Sequence, residues 1–283
     1  MITPFREVIL QGGSDRLTAT TRNGAWVVEG LSGWWGGVGV KGSRTARLGH
    51  GDFAVPNKRT GRSLTLNLIW TGGTVERDHV SRRLSGLFSD GEFGTVTATT
   101  GDLTLVSERV VLDGEVAVSE VGTAGVRAQI PLYAADPFLY GDEVSTFLRP
   151  IGSGVGLSYP LYGVEEGVTP VLSYGSAVDS QDPISNPGNA PAWPTFVVVG
   201  DFPSGFQIRV GDRVVLWPVP TAPQSPVRVE MSGSVWVGSD NQTHRAGMTQ
   251  WSAVPPGETI SPVFDPVQFG SGWCEVITRP TYL

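Results

Sequence analysis

RSLTLNLIW (Arg62–Trp70) is followed after three residues by TVERDHVSRRLSGLFSD (Thr74–Asp90), and the two segments set different hydrophobic periods side by side. In the first, Leu64, Leu66 and Leu68 alternate with Ser63, Thr65 and Asn67, as in a β-strand with one buried side. In the second, Val80, Leu84, Leu87 and Phe88 recur at helical spacing, Thr74 is placed to cap the start and Asp90-Gly91 to end the turn. One amphipathic helix is therefore expected against a sheet, with Arg77, Ser81, Arg82 and Ser85 forming an outward basic edge.

Outward from this stretch, alternation and closely spaced turn residues dominate both flanks. Phe5–Leu10, Gly94–Thr99, Leu103–Val111, Val116–Ser119 and Val126–Leu132 read as strands before residue 140. Phe196–Val199, Phe206–Val210, Arg213–Leu216, Val227–Met231 and Trp273–Thr278 read as sandwich strands after it. The fold class expected is all-β with one helix. Composition changes near Tyr140: residues 1–140 hold 14 Lys+Arg, 14 Asp+Glu and 4 Pro, whereas residues 141–283 hold 6, 13 and 17. Two domains of different construction, 1–140 and 141–283, account for that break. A neutral first half and an acidic second half lack the clustered cations of a nucleic-acid surface, so no sequence-specific nucleic acid is expected.

The single cysteine, Cys274, has no intramolecular disulfide partner. MITPFREVIL carries Arg6 and Glu7 where a signal peptide would be apolar, and no apolar run approaches a membrane span, so a soluble product of a cytoplasm without membrane insertion is expected.

Tests for chemistry fail in turn. There is no G-x-S-x-G, and His50, His79 and His244 are scattered outside any metal-binding pattern. Gly37-Val38-Gly39-Val40-Lys41-Gly42 matches G-x-G-x-x-G literally, but LSGWWG before it and SRTARLGHGD after it supply neither the parallel strand nor the helix of a dinucleotide site; it reads as a Gly-rich loop or strand edge. Glu165-Glu166 on a strand would point to opposite sides, and Asp179 and Asp182 lie in a polar loop without a calcium pattern. The Asn241-Gln242-Thr243 sequon is silent in a cytoplasmic product. Trp193, Trp217, Trp236, Trp251 and Trp273 are placed either to fill a sandwich core or to stack on sugar rings. No catalytic, cofactor-binding or metal residue is assigned, and no enzyme activity is expected.

Three segments carry a resemblance. The Arg62–Gly72 strand leads into the 75–89 helix and is preceded by Gly49-His50-Gly51-Asp52; LYAADPFLY spans Leu132–Tyr140; and NPGNAPAWP spans Asn186–Pro194 ahead of Thr195–Val199. WSAVPPGE (Trp251–Glu258) is a further match, with Glu258 where the pattern often has Asn. Together they resemble the distal tail proteins, or minor tail proteins, of long non-contractile-tailed bacteriophages, in the form found in phages of actinobacteria. That resemblance implies a structural protein of the virion tail. It implies an N-terminal ring-forming, barrel-like β-domain with its helix over 1–140. It also implies a C-terminal galectin-like jelly-roll sandwich over 141–283, whose last strand is free to return to the first domain. A homohexameric ring joining the tail tube to the baseplate or tail-tip hub is implied, with DNA and the tape-measure protein passing through it. Ring contacts are expected from the Arg62–Trp70 strand and the 75–89 helix. Two other functions stay open: an adhesin making weak contact with host glycans through the second domain, and a tail-associated glycan hydrolase.

Overall fold

The structure is a computed structural model describing residues 5–13, 15–21, 25–36, 38–42, 45–53, 57–72, 74–88, 91–123, 125–150, 182–268 and 270–283. The chain divides into two compact units, Met1–Asp142 with Tyr282–Leu283, and Glu143–Thr281.

In the first unit, the alternation that begins at Arg62 belongs to a 14-residue strand, Lys58–Thr71. Leu64, Leu66, Leu68 and Trp70 face inward and are buried. One edge of this strand pairs antiparallel with Trp26–Ser32, and the other with Gly125–Ala134. From Trp26–Ser32 the sheet continues through Asp15–Thr20, Glu7–Gly12, Gly94–Thr100 and Leu103–Leu112. Leu132–Ala134 then pairs with Val110–Leu112, so seven strands close on themselves as a barrel. Closure hides the edges that an open sheet would expose. Inward residues from each strand, among them Val8, Leu17, Val28, Leu66, Val96, Leu105 and Ile130, form one continuous core, against which Tyr282 also packs.

The described residues contain one α-helix, Thr74–Ser85, shorter than its hydrophobic period suggested. Gly86 N–H donates to the Arg83 carbonyl and Leu87 N–H to the Leu84 carbonyl, each over 3.2 Å, which tightens the last turn. Phe88 then takes a left-handed backbone conformation, φ 56°, and its ring packs over Gly12 and Gly94, where a side chain would collide with it. Burial of that ring outweighs continuation of the helix. Leu87 and Phe88 therefore reach the core from a turn. The helix edge is also less open than expected: Arg77 lies 3.2 Å from Glu120 and 3.3 Å from Asp78, and Arg83 donates to the Arg16 carbonyl over 2.9 Å.

Among the described residues the second unit holds two main antiparallel sheets, besides a short pairing of Ile184–Ser185 with Thr259–Ile260. In spatial order the larger runs Val144–Leu148, Ser271–Thr278, Thr195–Asp201, Val227–Glu230, Ser234–Val237 and Asp240–Asn241. The smaller runs Met248–Thr249, Arg213–Trp217, Phe206–Val210 and Val263–Pro266. Phe196, Val198, Val229, Cys274 and Val276 from the first share one core with Phe206, Ile208, Val215, Trp217 and Phe264 from the second, which makes the unit a sandwich.

NPGNAPAWP owes its composition to a polar knot in this unit. Asn186 is fully buried, and its Nδ2 donates to the carbonyls of Ala190 (2.7 Å) and Val254 (3.1 Å). Its Oδ1 accepts from the N–H groups of Gly188 (3.1 Å) and Thr281 (3.2 Å). One amide thus ties three segments together, beside the backbone bonds that also join them there. Gly188 is required because a Cβ there would collide with the Thr281 carbonyl.

Candidate assembly surface

Strand Lys58–Thr71 runs past the barrel at its N-terminal end, and the excess is the root of a projecting arm. Val38–Lys41 pairs with it there, Val38 opposite Arg62, Val40 opposite Arg59 and Lys41 opposite Lys58. Farther out, Thr45–Ala46 pairs with Asp52–Phe53, and Arg47 N–H closes the tip onto the Gly51 carbonyl at 3.0 Å. Arg47 also lies over the Phe53 ring, 5.1 Å from its centroid. Val40, Phe53 and the fully exposed Leu48 bring apolar surface to this arm. Residues 38–59 contain Lys41, Arg44, Arg47, Lys58 and Arg59 against Asp52 alone, and both lysines of the chain are among them. Val38–Lys41 of the G-x-G-x-x-G segment is therefore an edge strand of the arm, in agreement with the strand-edge reading.

Arg62 anchors the root of the arm. It is fully buried although charged, and shares the inward side of its strand with Leu64. Its Nη1 donates to the carbonyls of Gly33 (2.9 Å) and Trp34, and its Nε and Nη2 donate to the carbonyl of Pro137 at 3.1 and 2.8 Å. Burial lowers its pKa from the usual guanidinium range, and the nearby Asp136 carboxylate partly offsets this. Asp136 in turn accepts from the Tyr140 hydroxyl at 2.6 Å and the Phe138 N–H at 3.0 Å. The ADP…Y turn seen in the sequence is thus bound to the arm root through one guanidinium fork.

A second surface lies on the strand Ala117–Val121. It pairs with Gly125–Gln129 on one edge only among the described residues, and all five of its residues are exposed. Val118 and Val121 are apolar, and Asp113, Glu115 and Glu120 make the segment acidic. Neither sequence pattern nor propensity marks this strand as different from its neighbours. Its exposure follows from its place in the strand order.

The strand expected to carry ring contacts is not available as an edge over Thr65–Trp70, where both of its sides are paired within the chain. Of the tryptophans, Trp217 is buried, Trp236 and Trp251 are half-buried, and Trp193 and Trp273 are 46% and 47% exposed. Trp273, Phe147, Arg149 and Gly272 line a recess of about 470 Å³ in the second unit. Among the described residues His, Cys, Asp and Glu form no group of three that could hold a metal, and no helix is long and apolar enough to cross a membrane. Asn241 Oδ1 accepts from the Thr243 N–H and hydroxyl, so the sequon is a turn. Glu165, Glu166 and Asp179 lie outside the described residues.

No known family matches the chain, and no curated protein sequence does. Solved structures do. The Dit protein of phage SPP1, described as a paradigm of the hub adsorption apparatus in phages that infect Gram-positive bacteria, aligns over 98% of this chain and 99% of its own, with TM-score 0.62 and 14% identity. Two structures of the phage P2 baseplate in its activated conformation, with Ca and with Sr, align over 97% and 95% of this chain and 97% of theirs, each with TM-score 0.48 and 12% identity. The chain shares the fold of the SPP1 protein from end to end.

Proposed function

We propose that this chain is a structural subunit of a phage tail, a distal tail protein whose first unit closes a homohexameric ring between the tail tube and the baseplate or tail-tip hub. DNA and the tape-measure protein would pass through that ring. The observation that carries the reading is the full-length likeness to the SPP1 hub protein in a chain that exposes two strand edges on its barrel unit. Exposed edges invite pairing with another chain, and cyclic assemblies use such surfaces repeatedly. A neutral ring-forming half suits both close packing of six copies and unhindered passage of a polyanion.

Light scattering and native mass measurement on the purified chain, alone and with the tail tube protein, are expected to show a sixfold species. Negative-stain images should show rings, and antibody-labelled virions should carry the label at the distal end of the tail tube. A strict monomer under every condition, or label elsewhere on the particle, overturns the proposal.

A second reading, weak contact with host glycans, draws on the half-exposed Trp273 beside Phe147 and Arg149. Glycan-array binding that Trp273→Ala abolishes is the result that would favour it.

A further inference from the structure

We infer that the basic arm of one copy docks on the acidic edge strand of the next, head to tail, so that arm and edge are the two halves of one repeated interface. This deepens the ring reading and rests on it. Its occupant is a second copy of this chain, and the argument begins with the arm itself. Val38 is half-buried, and Gly39–Gly42, Arg47–Phe53 and Asn57–Arg59 are all exposed. Ordering backbone costs about 1–2 kcal/mol per residue. Those exposed residues recover little of that cost within their own chain. Its apolar residues Val40, Leu48 and Phe53 need cover from elsewhere.

Charge selects the cover. Among the described residues, Lys41, Arg47, Lys58 and Arg59 enter no ion pair. Asp113 and Glu115 precede, and Glu120 lies within, the edge strand that offers Val118 and Val121, and the sequence has no cation between residues 113 and 124. Glu120 is held by Arg77 at 3.2 Å, which leaves Asp113 and Glu115 as the acidic groups facing outward without such a tie. The two surfaces are opposite in sign and alike in apolar content and in their unpaired backbone groups. Because they are different surfaces of one chain, their contact is heterologous, and repeated rotation about one axis closes it as a ring. Two arms facing each other would repel.

Three charge-reversed chains test this, compared with wild type. The first carries Lys41→Glu, Arg47→Glu and Arg59→Glu. The second carries Asp113→Lys and Glu115→Lys, with Glu120 left in place to keep its ion pair. The third carries all five. All the altered side chains are exposed, so thermal unfolding should match wild type and report that each chain folds. By sedimentation, each singly reversed surface is expected to weaken assembly on the order of a hundred-fold, from repulsion across several facing charges. The five-fold variant should assemble like wild type, and mixing the first two variants should restore assembly by alternating copies. Singly reversed chains that assemble as wild type does overturn the inference and leave the ring reading standing. So does a folded five-fold variant that stays monomeric, which would mean that arm and edge serve other partners, such as the tube protein. A wild-type chain that never assembles overturns both.

Discussion

Asn186 is the residue whose loss the structure prices most clearly. Asn186→Ala leaves the N–H groups of Gly188 and Thr281 and the carbonyl of Ala190 without the amide, whereas the Val254 carbonyl keeps its bond from Ala192 N–H at 3.0 Å. Each orphaned buried group costs about 1–3 kcal/mol, and entry of water into the small space left behind recovers part of it. The expected loss is about 3–5 kcal/mol, confined to the second unit. With a urea slope of about 2 kcal/mol/M, that lowers the unfolding midpoint of the unit by about 2 M. Asn186→Asp separates packing from hydrogen bonding. It keeps the shape and the Oδ1 acceptor, but it sets an oxygen 2.7 and 3.1 Å from two carbonyl oxygens in place of a donor. At neutral pH it is expected to cost at least as much as alanine. Urea unfolding of the full chain, followed by tryptophan fluorescence, measures both. A loss below about 1 kcal/mol for either variant would refute the knot as the reason for the NPGNAPAWP motif.

Other outcomes follow from the same geometry. Arg62→Met removes a buried guanidinium from three carbonyls and is expected to destabilise the first unit by about 3–5 kcal/mol, with Arg62→Lys recovering less than half because one ammonium cannot reproduce the fork; equilibrium unfolding checks both. Gly188→Ala should cost the second unit about 1–3 kcal/mol, since the Thr281 backbone must move; the unfolding midpoint of that unit reports it. Burial raises the Cys274 thiol pKa far above its ordinary value, so a thiol reagent at pH 8 should label native protein only at the rate at which the second unit opens. The folded pKa being the higher one, stability relative to Cys274→Val should fall by about 1.4 kcal/mol per pH unit once pH rises above the unfolded thiol value near 8.5.

Local period was enough to place most of the strands. Phe206–Val210 has the same bounds in sequence and structure, and Arg62–Trp70 lengthens only at its ends. Asp15–Thr20 and Trp26–Ser32 escaped notice because their alternation is interrupted by polar and glycine residues, yet the closing of the barrel requires both. Parity along the strand also held an overlooked signal: Arg62 stands in step with Leu64, Leu66 and Leu68, which puts a charged group inside. What it would find there could not be read locally, because its carbonyl partners lie 28, 29 and 75 residues away.

The amino-acid order by itself determined the β class, the amphipathic helix after the central strand, the absence of a recognisable catalytic pattern and the motifs that resemble tail proteins, since these depend on side-chain period and local turn chemistry. Tertiary structure alone decided that NPGNAPAWP is a buried knot, that the central strand has no edge to offer over Thr65–Trp70, and that the arm and Ala117–Val121 do. Whether a strand is interior or edge depends on which distant segment occupies its row of N–H and C=O groups, and no short window of sequence records that choice.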